Sequence, residues 1–232
     1  MENITVLTGA GISRESGLST FRDDDGFWNK YNIEDVATPK GLIKNPKYLL
    51  DFYNKYRKIV QQAEPNKGHC DLVKLEEHFN VNIITQNIDD LHERAGSKNV
   101  LHVHGEIKKI RSSVDPNLIY DYDRDITVGD LCEKGSQLRP HVVFFGVDVP
   151  MYVKAFELLR ESDYFFVIGT SLEVSPICDL VELVNVSVPI YVVNPKMGNI
   201  KAKYRHKQII EVCEVASVGV EIVIDKILSN KH

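Results

Sequence analysis

The feature that most constrains the fold of this chain is a set of four short apolar or β-branched runs. Each run is followed at once by a glycine or by an amide side chain, and together they occupy residues 3–8, 81–85, 164–168 and 190–193. Runs without polar alternation are typical of strands that are buried on both faces of a sheet. Helix-length segments, such as residues 69–79 and 153–162, lie between them. The pattern predicts an α/β fold: a parallel sheet with helices on both faces and a ligand site at the carboxyl ends of the strands.

Two stretches do not follow this alternation. Residues 29–66 are predicted to be helical, and residues 107–138 are predicted to be irregular and poor in strands. We expect both insertions to form a smaller lobe over the edge of the sheet. The 232 residues are enough for one large domain, so residues 1–232 are interpreted as a single domain with two insertions.

The overall composition argues against several classes of protein. The chain is 43% hydrophobic with a formal net charge of −5, so it can form a core and gives no general reason to expect binding to nucleic acid or to a membrane surface. No apolar run approaches the roughly 20 residues of a membrane span. Its four cysteines are scattered, which is typical of a reducing compartment. We therefore predict a cytoplasmic protein, with a monomer as the default oligomeric state.

The first apolar run ends in Gly9-Ala10-Gly11. Glycines at this point let the backbone turn tightly and approach a phosphate group closely. In the dinucleotide pattern G-x-G-x-x-G the third glycine would stand at Arg14, and no acidic residue is placed to hold a ribose. A hydride-transferring enzyme is therefore disfavoured, while a tight turn without any ligand remains an alternative.

Six segments in order carry a more specific resemblance. They are GAGISRESGLSTFR (residues 9–22), TQNIDDLHERAGS (85–97), HVHGEI (102–107), RPHVVFFG (139–146), GTSLEVSP (169–176) and VNP (193–195). Together they resemble the sirtuin family of NAD-dependent protein-lysine deacylases, over residues 4 to about 225. The resemblance implies a Rossmann-like sheet that binds NAD, and transfer of an acyl group from lysine to ADP-ribose with release of nicotinamide. The nearest branch is that of the bacterial and mitochondrial deacylases.

The resemblance also implies roles for individual residues. Catalysis is assigned to His104 as the base, together with Asn87 and Asp89. Spacing alone does not separate His104 from His102, and the match to the family selects His104. Phe21 is expected to shield the reactive ribose and Arg22 to order the cofactor loop. The NAD-binding residues implied are Gly9, Ala10, Gly11, Phe21, Arg22, Gln86, Ile88, Gly169, Thr170, Ser171, Asn194 and Cys213.

The implied partner is an acyl-lysine peptide that pairs with a strand at Val143, Phe144, Phe145 and Gly146. Most sirtuins have a glutamate after this glycine, whereas this chain has Val147. The branch marks its acyl site with Y-x-x-R on a helix, where the tyrosine and the arginine bind a terminal carboxylate. Here Tyr53 matches, Tyr56 replaces the arginine, and Arg57 lies one residue further on. Acetyl and acidic acyl groups therefore both remain open, with a slight preference for general deacylation.

The structural zinc site of the family is predicted to be lost. Sirtuins usually carry two cysteine pairs in this region, but this chain has Ser112-Ser113 where the first pair begins and only Cys132 in the second half. One thiolate cannot build a tetrahedral Cys₄ site. Asp115, Asp121, Asp123 and His102 are candidate substitute ligands, but scattered aspartates in a polar loop usually face solvent, so no metal is expected.

Two further functions remain open at this stage. One is an ADP-ribosyltransferase or NAD glycohydrolase on the same scaffold. The other is a non-catalytic module that senses NAD. Retention of His104, Asn87 and Asp89 favours deacylation over both.

Overall fold

The computed structural model describes residues 1–20, 23 and 26–229. Its main element is a six-stranded parallel sheet, in which β1 (Asn3–Thr8) lies between β2 (Asn80–Thr85) and β7 (Tyr164–Ile168). Strand β3 (Val100–His102) flanks β2, while β8 (Pro189–Val193) and β9 (Gln208–Val212) continue the sheet beyond β7. The predicted parallel α/β fold is confirmed, and all four apolar runs form strands.

Helices cover both faces of this sheet. On one face, α5 (Lys67–Leu75) and α10 (Ala216–Ser229) pack over Ile4 and Val6 of β1. On the other face, α7 (Tyr152–Arg160) and α8 (Leu180–Leu183) pack over Leu7. This division follows from the alternation of side chains along a strand. Among the described residues, no helix has both the length and the hydropathy that crossing a membrane requires.

Six further helices complete the connections between these elements. They are α1 (Ala10–Ser13), α2 (Ile33–Val36), α3 (Pro39–Lys44), α4 (Pro46–Gln62), α6 (Leu91–Ala95) and α9 (Ile200–Lys203). The longest of them, α4, begins with Pro46 in its first turn, and the side chain of Asn45 caps it by accepting from Tyr48 N. The helical prediction for residues 29–66 is confirmed by α2, α3 and α4.

A second, antiparallel sheet forms most of the other insertion. Its strand order is β5 (Ile119–Asp121), β4 (Gly105–Ser112) and β6 (Leu138–Val142). The prediction that residues 107–138 are poor in strands is therefore wrong for β4 and β5. Ile107 and Ile110 are buried, but Lys108 and Lys109 stand between them, Arg111 follows them, and the pairing with β6 shifts register between Glu106 and Ile110. No continuous apolar run therefore marks the strand. With α4, this sheet surrounds the third hydrophobic core.

Candidate active site

The glycine-rich turns after β1 and β7 pack directly against each other. The Gly11 N–H donates to the Gly169 carbonyl oxygen at 2.8 Å. A Cβ atom on Gly11 would lie 2.6 Å from Gly169 Cα, and Gly169 itself has φ of +63°. A side chain is therefore excluded at Gly11 and at Gly169, because either one would force the two backbones apart. The result is a narrow, backbone-lined edge at the carboxyl ends of the central strands.

Hydrogen bonds around Gln86 and Thr170 connect the loops that follow β2, β7 and β8. The Gln86 side-chain oxygen accepts from Thr170 Oγ1 at 3.0 Å, and Asn194 Nδ2 donates to the Thr170 carbonyl oxygen at 3.0 Å. The Gln86 amide nitrogen is buried and has no hydrogen-bond partner among the described residues. A buried donor without a partner is costly, so this amide is available to a ligand with an accepting oxygen.

The remaining predicted cofactor residues surround the same edge with different exposure. Ala10 and Ile88 are half-buried beside it. Ser171 and Cys213 are exposed, and Cys213 Sγ lies 3.4 Å from the Pro195 carbonyl oxygen. Phe21 and Arg22 lie outside the described residues.

Behind the glycine turn, Asn87 and Asp89 meet at a serine. Asn87 Nδ2 donates to Ser13 Oγ at 3.1 Å and to the Gly9 carbonyl oxygen at 3.2 Å, and Ser13 Oγ donates to Asp89 Oδ2 at 3.0 Å. Burial raises the pKa of Asp89 to about 6, although the hydrogen bonds from Leu91 N and Ser13 act in the opposite direction. Sequence analysis did not select Ser13; its signal was a small polar residue four positions after Gly9.

Two histidines, at and just after the end of β3, bind neighbouring carbonyl groups of the loop that follows β2. His104 Nδ1 lies 3.0 Å from the Gln86 carbonyl oxygen and His102 Nδ1 lies 2.9 Å from that of Asn87. A carbonyl oxygen only accepts, so both Nδ1 atoms carry the proton. His102 Nε2 is taken by Glu93 at 2.8 Å, whereas no partner is found for His104 Nε2 within the described ranges. Burial holds the pKa of His104 below its usual value, so its ring is neutral near pH 7, with Nε2 as a proton acceptor.

The predicted acyl-binding tyrosines lie in a cluster of aromatic rings. Tyr53 and Tyr56 are buried on α4, and the Trp28 side chain is hydrogen-bonded to Tyr56. Burial raises the pKa of both hydroxyl groups, and the nearby charge of Asp89 adds to this for Tyr56. Both hydroxyls therefore stay neutral, and Tyr56 lies on the Asp89 side of the cluster.

Arg57 has a different environment from the two tyrosines. It is 2% exposed, and its guanidinium donates to the carbonyl oxygens of Ile107 and Arg124 and to Asn54 Oδ1, at 3.0, 3.0 and 3.2 Å. The structure therefore places Arg57 between α4 and the part of the small lobe that contains β4 and β5, and none of these three hydrogen bonds joins it to a predicted site residue.

The predicted peptide-binding segment is extended only in part. Strand β6 ends at Val142, after which Val143 N donates to the His104 carbonyl oxygen and Phe145 N to that of Ala37, each at 2.9 Å. A turn follows, in which Val147 N donates to the Phe144 carbonyl oxygen at 3.3 Å and Gly146 has φ of +81°. Phe144 is buried beside Tyr53, with 6.4 Å between ring centroids, while Phe145 and Val147 are about half exposed. This differs from a strand over 143–146, because the segment bonds to single loop residues instead of to a neighbouring strand.

The small lobe has a polar cluster in the region of the family's cysteine pairs. Ser136 Oγ lies 2.6 Å from Ser112 Oγ and 3.1 Å from Cys132 Sγ. Hydroxyl groups and one thiol are poor ligands for a structural zinc ion. Within the described residues, no group of three or more His, Cys, Asp or Glu side chains is arranged to hold a metal.

Comparison with known proteins agrees with this geometry. A sequence model described as the Sir2 family matches residues 9–176. An NAD-dependent protein deacylase from Helicobacter pylori (strain ATCC 700392 / 26695) is 49% identical over 86% of this chain and 87% of its own length. Another from Aggregatibacter actinomycetemcomitans is 50% identical over 82% and 91%.

Solved structures of similar proteins give the same result. A Sir2 homologue variant in complex with ADP-ribose superposes with a TM-score of 0.87 at 35% identity, over 98% of this chain and 93% of that chain. A Sir2 homologue in complex with NAD gives 0.86 at 33% identity, over 98% and 90%. The family model covers more than half of this chain, and on the evidence of these matches the chain belongs to the Sir2 family.

Proposed function

We propose that this chain is an NAD-dependent protein-lysine deacylase, which transfers the acyl group of an acyl-lysine to ADP-ribose and releases nicotinamide. Relatives that share 49% and 50% sequence identity with this chain carry the name NAD-dependent protein deacylase. A further Sir2 structure, with a TM-score of 0.78, holds a deacetylated p53 peptide and an acetyl ADP-ribose. The observation that carries the proposal is the neutral His104, whose free Nε2 lies at the same edge as the Asn87–Ser13–Asp89 network.

The residues at the sheet edge fit NAD. The Gln86 amide donor without a partner suits a ribose hydroxyl oxygen, and the side-chain-free turns at Gly9, Gly11 and Gly169 suit a pyrophosphate. We assign Thr170, Ser171 and Asn194 to the phosphate and adenosine end, and Ala10, Ile88 and Cys213 to contacts along the cofactor, with Phe21 and Arg22 retained from the sequence. NAD, when bound, supplies the glycosidic bond that releases nicotinamide and the ribose that accepts the acyl group.

The proposed roles of His104, Asn87 and Asp89 follow from their protonation states and hydrogen bonds. Neutral His104 takes a proton from a ribose hydroxyl through Nε2, while its Nδ1–H stays on the Gln86 carbonyl oxygen. Asn87 offers its amide side chain, oriented by Ser13, to the nicotinamide end. Asp89 accepts a hydrogen bond from Ser13 and so holds it in place. At a pH above its pKa of about 6, Asp89 also provides a carboxylate beside the reacting groups.

We infer a preference for neutral over carboxylated acyl groups. The position of the branch's arginine holds Tyr56, whose hydroxyl is neutral and already bonded to Trp28, and the charge of Asp89 acts on the same hydroxyl. A second carboxylate here would meet a like charge. Three hydrogen bonds from Nε and Nη1 hold Arg57 against Ile107, Arg124 and Asn54, and its Nη2 is buried without a partner among the described residues. We propose that this guanidinium stays between α4 and the small sheet and does not bind the acyl group. We place the chain near the bacterial and mitochondrial deacylase branch with an altered acyl site; Phe144, Phe145, Val143 and Gly146 remain the proposed contacts of the peptide.

We also propose that this protein holds no structural zinc and remains one catalytic domain with a small lobe. Two serines and one cysteine stand where a tetrahedral site needs four thiolates or imidazoles. Other bonds tie the lobe to α4 instead: Asn54 Nδ2 donates to the Ile126 carbonyl oxygen at 2.8 Å, and Ile126 N donates back to Asn54 Oδ1 at 2.9 Å. The cytoplasmic location and the monomeric state remain predictions.

The test is incubation of the purified protein with NAD and a matched series of acetyl-, butyryl- and succinyl-lysine peptides, with products followed by mass spectrometry. We expect acyl-ADP-ribose from the neutral acyl peptides, with kcat/KM for succinyl lower by about 10-fold or more. His104→Ala should abolish turnover while NAD still binds, and His78→Ala, at an exposed histidine, is the matched control. Nicotinamide without peptide turnover would indicate a glycohydrolase or transferase, and no reaction with intact NAD binding would indicate a sensing module.

A further inference from the structure

Two consecutive backbone carbonyl groups of the loop after β2 are each hydrogen-bonded to an imidazole ring. His104 binds the carbonyl of Gln86 and His102 binds that of Asn87. The two rings differ at their second nitrogen, because His102 Nε2 faces Glu93 Oε1 at 2.8 Å. His102 thus joins the Asn87 backbone to α6, and the deacylase mechanism gives this ring no chemical role.

The bonding of His102 requires its doubly protonated form. A carbonyl oxygen and a carboxylate oxygen are both acceptors, so satisfying both takes two N–H groups on one ring. A neutral imidazole has only one. Burial lowers the pKa of His102, but the hydrogen bond and the charge of Glu93 outweigh it, and the net pKa lies above its usual value. The partner shift agrees: the pKa of Glu93 is lowered, since its contacts with His102 outweigh burial.

Other charged or titratable groups also face this ring. Glu106 on β4 stabilises the imidazolium, and Asp89 on the loop after β2 is close enough for their charges to interact. His92 on α6 is fully buried, and burial lowers its pKa well below the usual value, so it adds no competing positive charge. The surroundings of His102 therefore favour its charged form from three sides.

We propose that His102 is a positioning residue for the deacylation reaction, whose protonated ring fixes the Asn87 carbonyl and so holds the Asn87 side chain on Ser13 and Gly9. The inference rests on the proposed function. When the ring loses a proton, the remaining N–H stays with the charged Glu93, and the Asn87 carbonyl loses its donor. The loop that carries Asn87, Ile88 and Asp89 is then held less firmly, and kcat falls as the pH rises through the pKa of His102.

The first variant to test is Glu93→Gln. A glutamine amide can donate to Nε2, so a neutral His102 can keep its Nδ1–H on the Asn87 carbonyl. We expect the His102 pKa, measured by NMR titration of histidine-labelled protein, to fall below its wild-type value. We also expect the alkaline decline of kcat to move or disappear. Glu77→Gln, at an exposed carboxylate that approaches neither histidine, is the matched control and should leave both readouts unchanged.

The second variant is His102→Leu, with His102→Gln as its conservative partner. Loss of the donor should lower kcat on the order of 10-fold with little change in the KM for NAD, because a loop displaced by a fraction of an ångström slows chemistry more than binding. Glutamine can donate one N–H to the Asn87 carbonyl and should restore part of kcat without an alkaline decline. A purely structural role would instead change stability and both kinetic constants together.

The outcomes separate this inference from the proposed function. An unchanged His102 pKa or an unchanged alkaline decline in Glu93→Gln would overturn the inference, as would full kcat in His102→Leu. The NMR titration needs no substrate, so it decides the protonation of His102 even if the leucine variant fails to fold. Absence of deacylation by the wild-type protein on every acyl peptide would overturn the proposed function and leave the titration result standing.

Discussion

At the scale of single residues, burial of the Asp89 carboxylate lowers the stability of the folded protein at neutral pH while keeping a charged group in the site. This carboxyl group is buried, and burial raises its pKa from the ordinary 3.8 to about 6 in the folded protein. The folded protein therefore binds this proton more tightly than the unfolded chain does. Its contribution to stability is fully present below pH 3.8 and is lost as the pH rises through about 6.

Asp89→Asn should remove this pH-dependent penalty. At pH 8 we expect the free energy of unfolding to increase by up to about 3 kcal/mol relative to the wild type, with little gain near pH 4. Deacylation should fall sharply, because the carboxylate is lost from the network. Urea unfolding at the two pH values measures the effect, with Asp225→Asn, at an exposed aspartate, as the control. Equal stabilisation at both pH values would contradict it.

The sequence could identify most of these residues but not their bonding. Motif order was sufficient to select His104, whereas the reason for choosing it over His102 depends on Glu93, a contact across nine positions and two elements. Ser13 was missed because its importance comes from reaching Asn87 and Asp89, which lie more than seventy residues away along the chain. Arg57 was an open candidate because helical spacing does not tell which way a long side chain turns.

At the scale of elements, helix α4 is the joint between the two parts of the molecule. Its Asn54 exchanges a pair of hydrogen bonds with the backbone of Ile126 and accepts a third from Arg57. Asn54→Ala leaves a buried N–H and a buried carbonyl without partners, and we expect a loss of about 3 kcal/mol in the free energy of unfolding. Lys55→Ala, exposed on the same helix, should change it by less than about 0.5 kcal/mol. Urea titration of both variants decides; a near-neutral Asn54→Ala would show that the lobe is held elsewhere.

The same scale shows where element prediction succeeded. Strands β1, β2, β7 and β8 were predicted because they are buried on both faces and read as continuous runs. Strand β3 has only three residues, and β9, at the edge of the sheet, is only partly buried. Strands β4 and β5 belong to an antiparallel sheet with one polar face, so their signal is weaker. Strands that are buried on both faces could therefore be predicted from the sequence, whereas short or partly buried strands could not.

At the scale of the whole molecule, six motifs in order were sufficient to recognise the family. They are spread along most of the chain, and several of them follow strands of the parallel sheet. The proposal that the small lobe needs no metal requires other contacts to hold it, and motifs could not supply these. The structure shows three kinds of contact: the bonds of Asn54 and Arg57 to the lobe, the Ser112–Ser136–Cys132 cluster, and a shared core that includes Ile107, Ile110 and Ile126.

Metal independence is the prediction that follows at this scale. If packing and hydrogen bonds hold the lobe, as proposed, dialysis against a chelator should leave Tm unchanged. Elemental analysis of protein purified without chelator should then find zinc far below one equivalent. Cys132→Ser should lower Tm by only a few degrees, since a serine hydroxyl can still bond to Ser136, and Asn54→Ala serves as the positive control for a weakened lobe. In a zinc-held lobe, by contrast, chelation and Cys132→Ser would each lower Tm steeply, because metal-binding free energy is then folding free energy. Stoichiometric zinc with a chelator-sensitive Tm would show that the serines and Cys132 are assisted by ligands that this arrangement does not contain.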